Sequence, residues 1–338
     1  MYTAGILAGS ILPASGHSRK TGSIRQIQWE TPHLKLQEFA GTQGGNDIMR
    51  WTPGGESDDI EDRRDEDGGG GGFGFGGFGL GGRHIGLGGM LILLILSFVF
   101  KRNLFTGVST GGGARPAVTQ PDRARDSREE PEVQFISYVL DDTQKTWAQV
   151  LPSQGVPYRH AKLVLFRDVT SSGCGTARSA TGPFYCPADE KVYIDLGFYD
   201  ELKQRFGAPG EFAQAYVLAH EIGHHVQKLI GVERKVRALE ESDPRSANAL
   251  SVKTELQADC LAGVWAHSTE QRNLLENGDV ESAMNAAAAV GDDRLQRMST
   301  GRVSPESFTH GTSAQRTQWF QRGLSQGTIA GCNTYAGE

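Results

Sequence analysis

The chain reads as an α+β protein, mostly helical around a small β-sheet, preceded by a disordered glycine-rich segment and one transmembrane helix. Three observations lead there. Apolar residues recur at three- and four-residue steps through much of residues 132–338, the period of amphipathic helices. Two short runs, Lys162–Arg167 and Lys191–Asp195, are dense in Val, Leu, Ile and aromatic residues, as strands are. An apolar run over residues 85–105 stands between segments too rich in glycine, serine, proline and charge to fold.

Taken in order, residues 1–48 begin mildly apolar but lack the basic region of a signal peptide; they are expected to be a non-native extension, with initiation at Met49. Residues 49–84 turn acidic and then glycine-rich, with Phe73, Phe75 and Phe78 spaced through the glycines. Such a stretch buries too little surface to fold, and its charged part, Glu56–Asp67, reads as a solvated run. No Gly-Lys-Ser/Thr follows the glycines, which excludes a phosphate loop. The uncharged run Ile85–Phe100 falls short of the ~20 residues a spanning helix needs. Leu104 and Phe105 extend it if Lys101 and Arg102 snorkel, so residues 85–105 are expected to be a single anchor. Residues 106–131 read as a linker and 132–338 as the folded domain, long enough for a sizeable core.

Within that domain, Phe135, Tyr138, Val139 and Trp147 give Val133–Val150 a helical pattern. The two strands come next, then a helix over Phe198–Phe206. A longer helix opens at Ala208–Glu211, repeats Phe212, Ala215, Tyr216, Ala219, Ile222, Val226 and Leu229, and stops at Gly231. Further helices are expected over Ala247–Ser268, Val280–Ala289 and Asp292–Ser299.

The chemistry sits on two of these helices. His220 and His224 are four apart, hence on one face, where their imidazoles can reach one ion. Glu221 projects beside that ion and can take a proton from a bound water. Glu255 and Asp259 are likewise four apart on the next long helix. A carboxylate is an accepted third zinc ligand, which fits Glu255, and Asp259 can accept the free ring N–H of a ligand histidine. Downstream, His310 is a candidate to stabilise a developing oxyanion, or else a capping or packing histidine, and Arg316 a candidate to hold a carboxylate of the site or to form a surface ion pair. His225 points a third of a turn from His224 and reads as an ordinary surface or packing residue. Val192–Leu196 is a candidate to pair with an extended substrate, or else a structural strand.

Across Met49–Trp51, Glu61–Arg64, Gly173–Gly175, Gly182–Pro187, Val192–Asp195, His220–His225, Glu255–Cys260, Gly291–Leu295 and His310–Thr312, the chain resembles a bacterial family of neutral zinc metallopeptidases. The resemblance covers nearly everything from Met49 onward and implies a membrane-anchored, zincin-like catalytic domain with Zn2+ as cofactor. The His-Glu-x-x-His and Glu-x-x-x-Asp arrangement is also similar to thermolysin-like and HtpX-type peptidases, which implies Glu255 as third ligand and Asp259 as the histidine's orienter. Thr309–Thr312 resembles the Thr-His-Pro-Ser stretch of the latter, with glycine in place of proline. Residues 1–48 have no counterpart in that pattern.

Cys174, Cys186, Cys260 and Cys332 all follow the apolar run, an even number suited to two disulfides in an oxidising compartment. The preferred pairing is Cys174–Cys186, closing a short Gly/Pro-rich loop, with Cys260–Cys332 tying the C-terminal tail to the Glu255 helix; four reduced thiols are the alternative. Charge flanking the run is nearly balanced, so the cysteines favour a single-pass protein of the bacterial inner membrane with its catalytic domain on the extracytoplasmic side. A net charge of −6 without basic–aromatic clusters argues against a nucleic-acid partner. The expected function is hydrolysis of peptide bonds in a peptide or protein substrate. A zinc-dependent hydrolase of a non-peptide amide or ester, and a catalytically idle zinc-binding scaffold of the envelope, remain as alternatives.

Overall fold

Alternating apolar side chains give the central strands two buried faces, and each face finds its own cover. The computed structural model describes residues 49–66, 123–206 and 210–336. Its strands are β1 (Ile60–Asp62), β2 (Lys162–Phe166), β3 (Val169–Ser172), β4 (Gly175–Arg178), β5 (Phe184–Cys186) and β6 (Lys191–Asp195). One sheet has the order β1-β2-β6-β5, parallel except for β5, and β3–β4 form a separate antiparallel hairpin. Leu163, Leu165, Val192 and Ile194 pack into the helical core, whereas Val164, Phe166, Tyr193 and Cys186 cluster with Ala177 of the hairpin.

The helices are α1 (Arg123–Ser153), α2 (Gly197–Phe206), α3 (Glu211–Leu229), α4 (Val232–Ser242), α5 (Ala247–Gln271), α6 (Asp279–Ala289), α7 (Asp292–Thr300) and α8 (Ser313–Gln326). A predominantly helical α+β fold with a small sheet is therefore what the structure has. Close crossings fix the helices that matter for the site. A Cβ on Gly223 of α3 would lie 3.0 Å from the Ala258 carbonyl oxygen, so the bare glycine lets α3 and α5 touch beside the two histidines. The α5–α8 crossing is tighter still, because a Cβ on Gly263 or Gly323 would collide with the facing backbone.

Two disulfides are present. Cys174–Cys186 ties the turn of the β3–β4 hairpin to β5, and Cys260–Cys332 ties α5 to the final helical turn, Ile329–Cys332.

Residues 49–66 depart from the expected disorder. Met49 is 1% exposed in the helical core, and Trp51 packs on Phe135 and Tyr138 while its indole N–H donates to Glu211 at 3.0 Å. The supposedly solvated charges are paired: Arg64 binds Asp62 and Glu129. Arg167 donates to the Arg64 carbonyl, Asp65, Asp126 and Glu129. A three-residue strand and two isolated apolar anchors carry no period, so only partners distant in sequence make this segment fold. The start of α1 at Arg123 likewise moves the domain boundary upstream of 132; Pro131, inside the helix, had read as linker.

Residues 1–48, the glycine run, the apolar run 85–105 and linker residues 106–122 lie outside the described residues. Among the described ones, no helix is long and apolar enough to cross a membrane. The expected single anchor falls on residues 85–105 and so lies outside the described residues. The described segments on either side of it pack together: β1 pairs with β2, and Asp65 and Asp126 share the Arg167 guanidinium.

Candidate metal centre

α3 is apolar on the faces that enter the core and turns His220, Glu221 and His224 towards a cleft of about 580 Å³. One ligand atom from each of His220, His224 and Glu255 lies within 4.8 Å of the others. His220 Nε2 is 3.2 Å and His224 Nε2 3.6 Å from the Glu255 carboxylate, and the two rings meet nearly perpendicular, 4.8 Å apart.

The far ring nitrogens fix the tautomers. His220 Nδ1–H donates to Asp259 at 2.9 Å, and His224 Nδ1–H to the Gln227 amide oxygen at 2.8 Å, so in each ring Nε2, facing Glu255, is the nitrogen that would give its lone pair to a metal. Asp259 is fully buried, yet it stays ionised. Burial disfavours its charge, but the two-pronged Arg316 contact, 2.9 Å on each side, and His220 hold its pKa below the usual carboxylate value. Tyr216 donates to the same carboxylate at 2.5 Å. Burial also works against charge on His220, but its Asp259 and Glu255 partners push its pKa up to about 10. Burial alone would raise Glu255, whereas the neighbouring His224, His220 and His310 hold it well below its ordinary range.

This donor set fits a zinc ion: two imidazole nitrogens and one carboxylate, the three-ligand pattern of catalytic sites. Glu221, Glu255, Asp259 and Asp292 line or back the cleft against the Arg316 guanidinium, an excess of negative charge that a divalent cation offsets. Glu221 is buried on the cleft wall, and its carboxylate makes no hydrogen bond to a described residue.

His310 reaches the cleft from the loop before α8. Its Nδ1 lies 3.1 Å from Asp292, whose other oxygen accepts the backbone N–H groups of Thr309, His310 and Gly311. Nε2 is thereby directed away from Asp292. Burial opposes protonation of His310, but Asp292 and Glu255 outweigh it and raise its pKa. Arg316 contacts Asp259 rather than the surface, as one reading of it anticipated.

Asp292, Gln227 and Tyr216 were missed as site residues. Gln227 stands one turn beyond His224 and Tyr216 one turn before His220, spacings that a search along the ligand face would have caught. Asp292 had no such signal, since the loop holding it against His310 is remote in sequence. The structure decides two readings that the sequence leaves open. β6 lies between β2 and β5, so Val192–Leu196 has no free edge for substrate; β5 is the edge strand, and Phe184 and Tyr185 line the cleft. His225 follows the packing alternative rather than the surface one: it is fully buried, with both ring nitrogens hydrogen-bonded.

Residues 49–335 match the model of the family described as "Putative neutral zinc metallopeptidase". The uncharacterized protein YpfJ of Escherichia coli is 49% identical over 291 residues, covering 85% of this chain and 99% of its own length. The uncharacterized proteins Rv2575 of Mycobacterium tuberculosis and Mb2605 of Mycobacterium bovis are each 42% identical over 201 residues, 56% of this chain and 66% of their own. No solved structure gives a significant match.

Proposed function

This chain belongs to the neutral zinc metallopeptidase family, whose cofactor is zinc, and we propose that it hydrolyses peptide bonds at the cleft carrying His220, His224 and Glu255. The observation that carries the reading is the convergence of these three donors next to a Glu221 carboxylate that no other described side chain engages.

His220 Nε2, His224 Nε2 and Glu255 would hold the zinc ion, which would supply a Lewis acid able to acidify a water and polarise a carbonyl. Glu221 accepts the proton of the attacking water and passes it to the leaving amine. His310, held through Nδ1 by Asp292, presents Nε2–H to the oxygen on which negative charge develops. Asp259 and Gln227 keep the histidine ligands in the tautomer that coordinates. An extended peptide adds to the free edge of β5, giving main-chain recognition with modest sequence preference.

The test is metal analysis of purified protein together with digestion of an unfolded protein such as reduced casein. One zinc per chain and cleavage abolished by a chelator are expected. Absence of zinc, or chelator-insensitive cleavage, overturns the reading.

Placement in a bacterial inner membrane as a single-pass protein, with its catalytic domain on the extracytoplasmic side, is part of the same proposal. It is supported by the pairing of Cys174 with Cys186 and Cys260 with Cys332, which needs an oxidising compartment. Thiol counting on native protein checks it; four free thiols would put the domain in the cytoplasm.

A further inference from the structure

His225 follows a metal ligand in sequence but faces the other way. Its Nε2 lies 2.7 Å from the Arg159 carbonyl oxygen, which can only accept, so Nε2 carries a proton and Nδ1 is left to accept the Tyr185 hydroxyl at 2.9 Å. Tyr158 and Tyr185 sandwich the ring edge-on, with centroids 5.8 and 5.4 Å away. A residue needed for volume alone would be apolar here, since a fully buried imidazole is costly unless both nitrogens are satisfied. This one is satisfied by two separate elements: the loop before β2 and the middle of β5.

β5 is short, and its backbone is paired on one side only, with β6. Its height above the metal helix therefore rests on a few side-chain fastenings. Phe184 stacks on Tyr193 and Cys186 is bonded to Cys174, both on the sheet face away from α3. Towards α3 there are three among the described residues: Tyr185 on His225, and the Pro187 carbonyl and the Glu190 carboxylate of the following turn, both on the Lys228 ammonium. His220, His224, His225 and Lys228 all stand on one rigid helix, so the ligands and the strand's supports share a single frame.

The geometry points to His225 as a positioning residue for peptide binding: through the Tyr185 hydroxyl it sets the edge strand at a fixed height over the metal ligands. This rests on the peptidase reading above, in which substrate pairs with β5. A peptide laid along β5 then arrives with its scissile carbonyl at the level of the zinc ligands. A substrate too short to pair with the strand does not use this alignment.

The experiment compares an internally quenched octapeptide with a blocked dipeptide amide, using the full chain loaded with zinc. In Tyr185→Phe, which deletes one hydroxyl, the ratio of kcat/KM for long over short substrate is expected to fall about five- to tenfold, through KM for the octapeptide. His225→Phe should do the same with zinc still at one per chain. His225→Gln should recover most of the ratio, because its amide oxygen and nitrogen can take over the two imidazole roles. An unchanged ratio in Tyr185→Phe, or an equal loss on both substrates, overturns the inference while leaving the peptidase reading intact. A zinc-loaded wild type that cleaves neither peptide overturns both.

Discussion

Replacing Glu221 with Gln leaves the three metal-binding groups untouched while removing the proton acceptor. Turnover should fall by about 10²–10⁴-fold with zinc content unchanged, as read by steady-state kinetics beside metal analysis. His220→Ala should instead lose the metal itself. Asp292→Asn keeps an acceptor for the loop N–H groups but removes the charge that supports His310; kcat should fall about ten- to a hundredfold at constant zinc. At this scale His220, His224 and Glu221 could be read from the chain because their relation is purely helical, i to i+4. Glu255 and Asp259 were legible for the same reason. Asp292 was not, since it acts through a loop whose approach depends on how α7 and α8 pack, and no local spacing encodes that.

Among the elements, α1 and α3 carry a testable conflict. Glu132 of α1 is half-buried, and desolvation, aided by Asp200 and Glu129, raises its carboxyl to about 7 despite the Gln214 hydrogen bond. The folded state thus binds this proton more tightly than the unfolded chain. Stability from this group is fully present below about pH 4.5 and is lost as pH rises through 7. Glu132→Gln should therefore raise stability at pH 8 by about 1–3 kcal/mol more than at pH 5, measured by urea denaturation at both. The Cys260–Cys332 bond closes a 72-residue separation, and Cys332→Ser should cost about 2–4 kcal/mol, seen as a lower Tm that reductant shifts less than it shifts the wild type, since Cys174–Cys186 remains. Long amphipathic helices and the two central strands were visible in the sequence. β1, β5 and the β3–β4 hairpin were not, because strands of three or four residues show too little alternation to stand out.

Over the whole molecule, the segments before and after residues 67–122 are parts of one fold. A tag inserted at the exposed Gly54–Gly55 turn and a tag at the C-terminus should be accessible from the same side of the membrane in spheroplasts. Accessibility from opposite sides would mean that β1 does not pair with β2. Sequence reading divided the chain at 132 because composition changes there; the contacts of Met49, Trp51 and Arg167 ignore that division. A practical rule for making the protein follows from the shared guanidinium. Trimming the gene from its 5′ end past the apolar run would discard Met49, Trp51 and β1, expose an edge of β2 and yield aggregates. Splicing residue 66 to residue 123 through a Gly/Ser bridge of about ten residues, whose mean span is roughly 17 Å, should instead keep the fold intact without the apolar run.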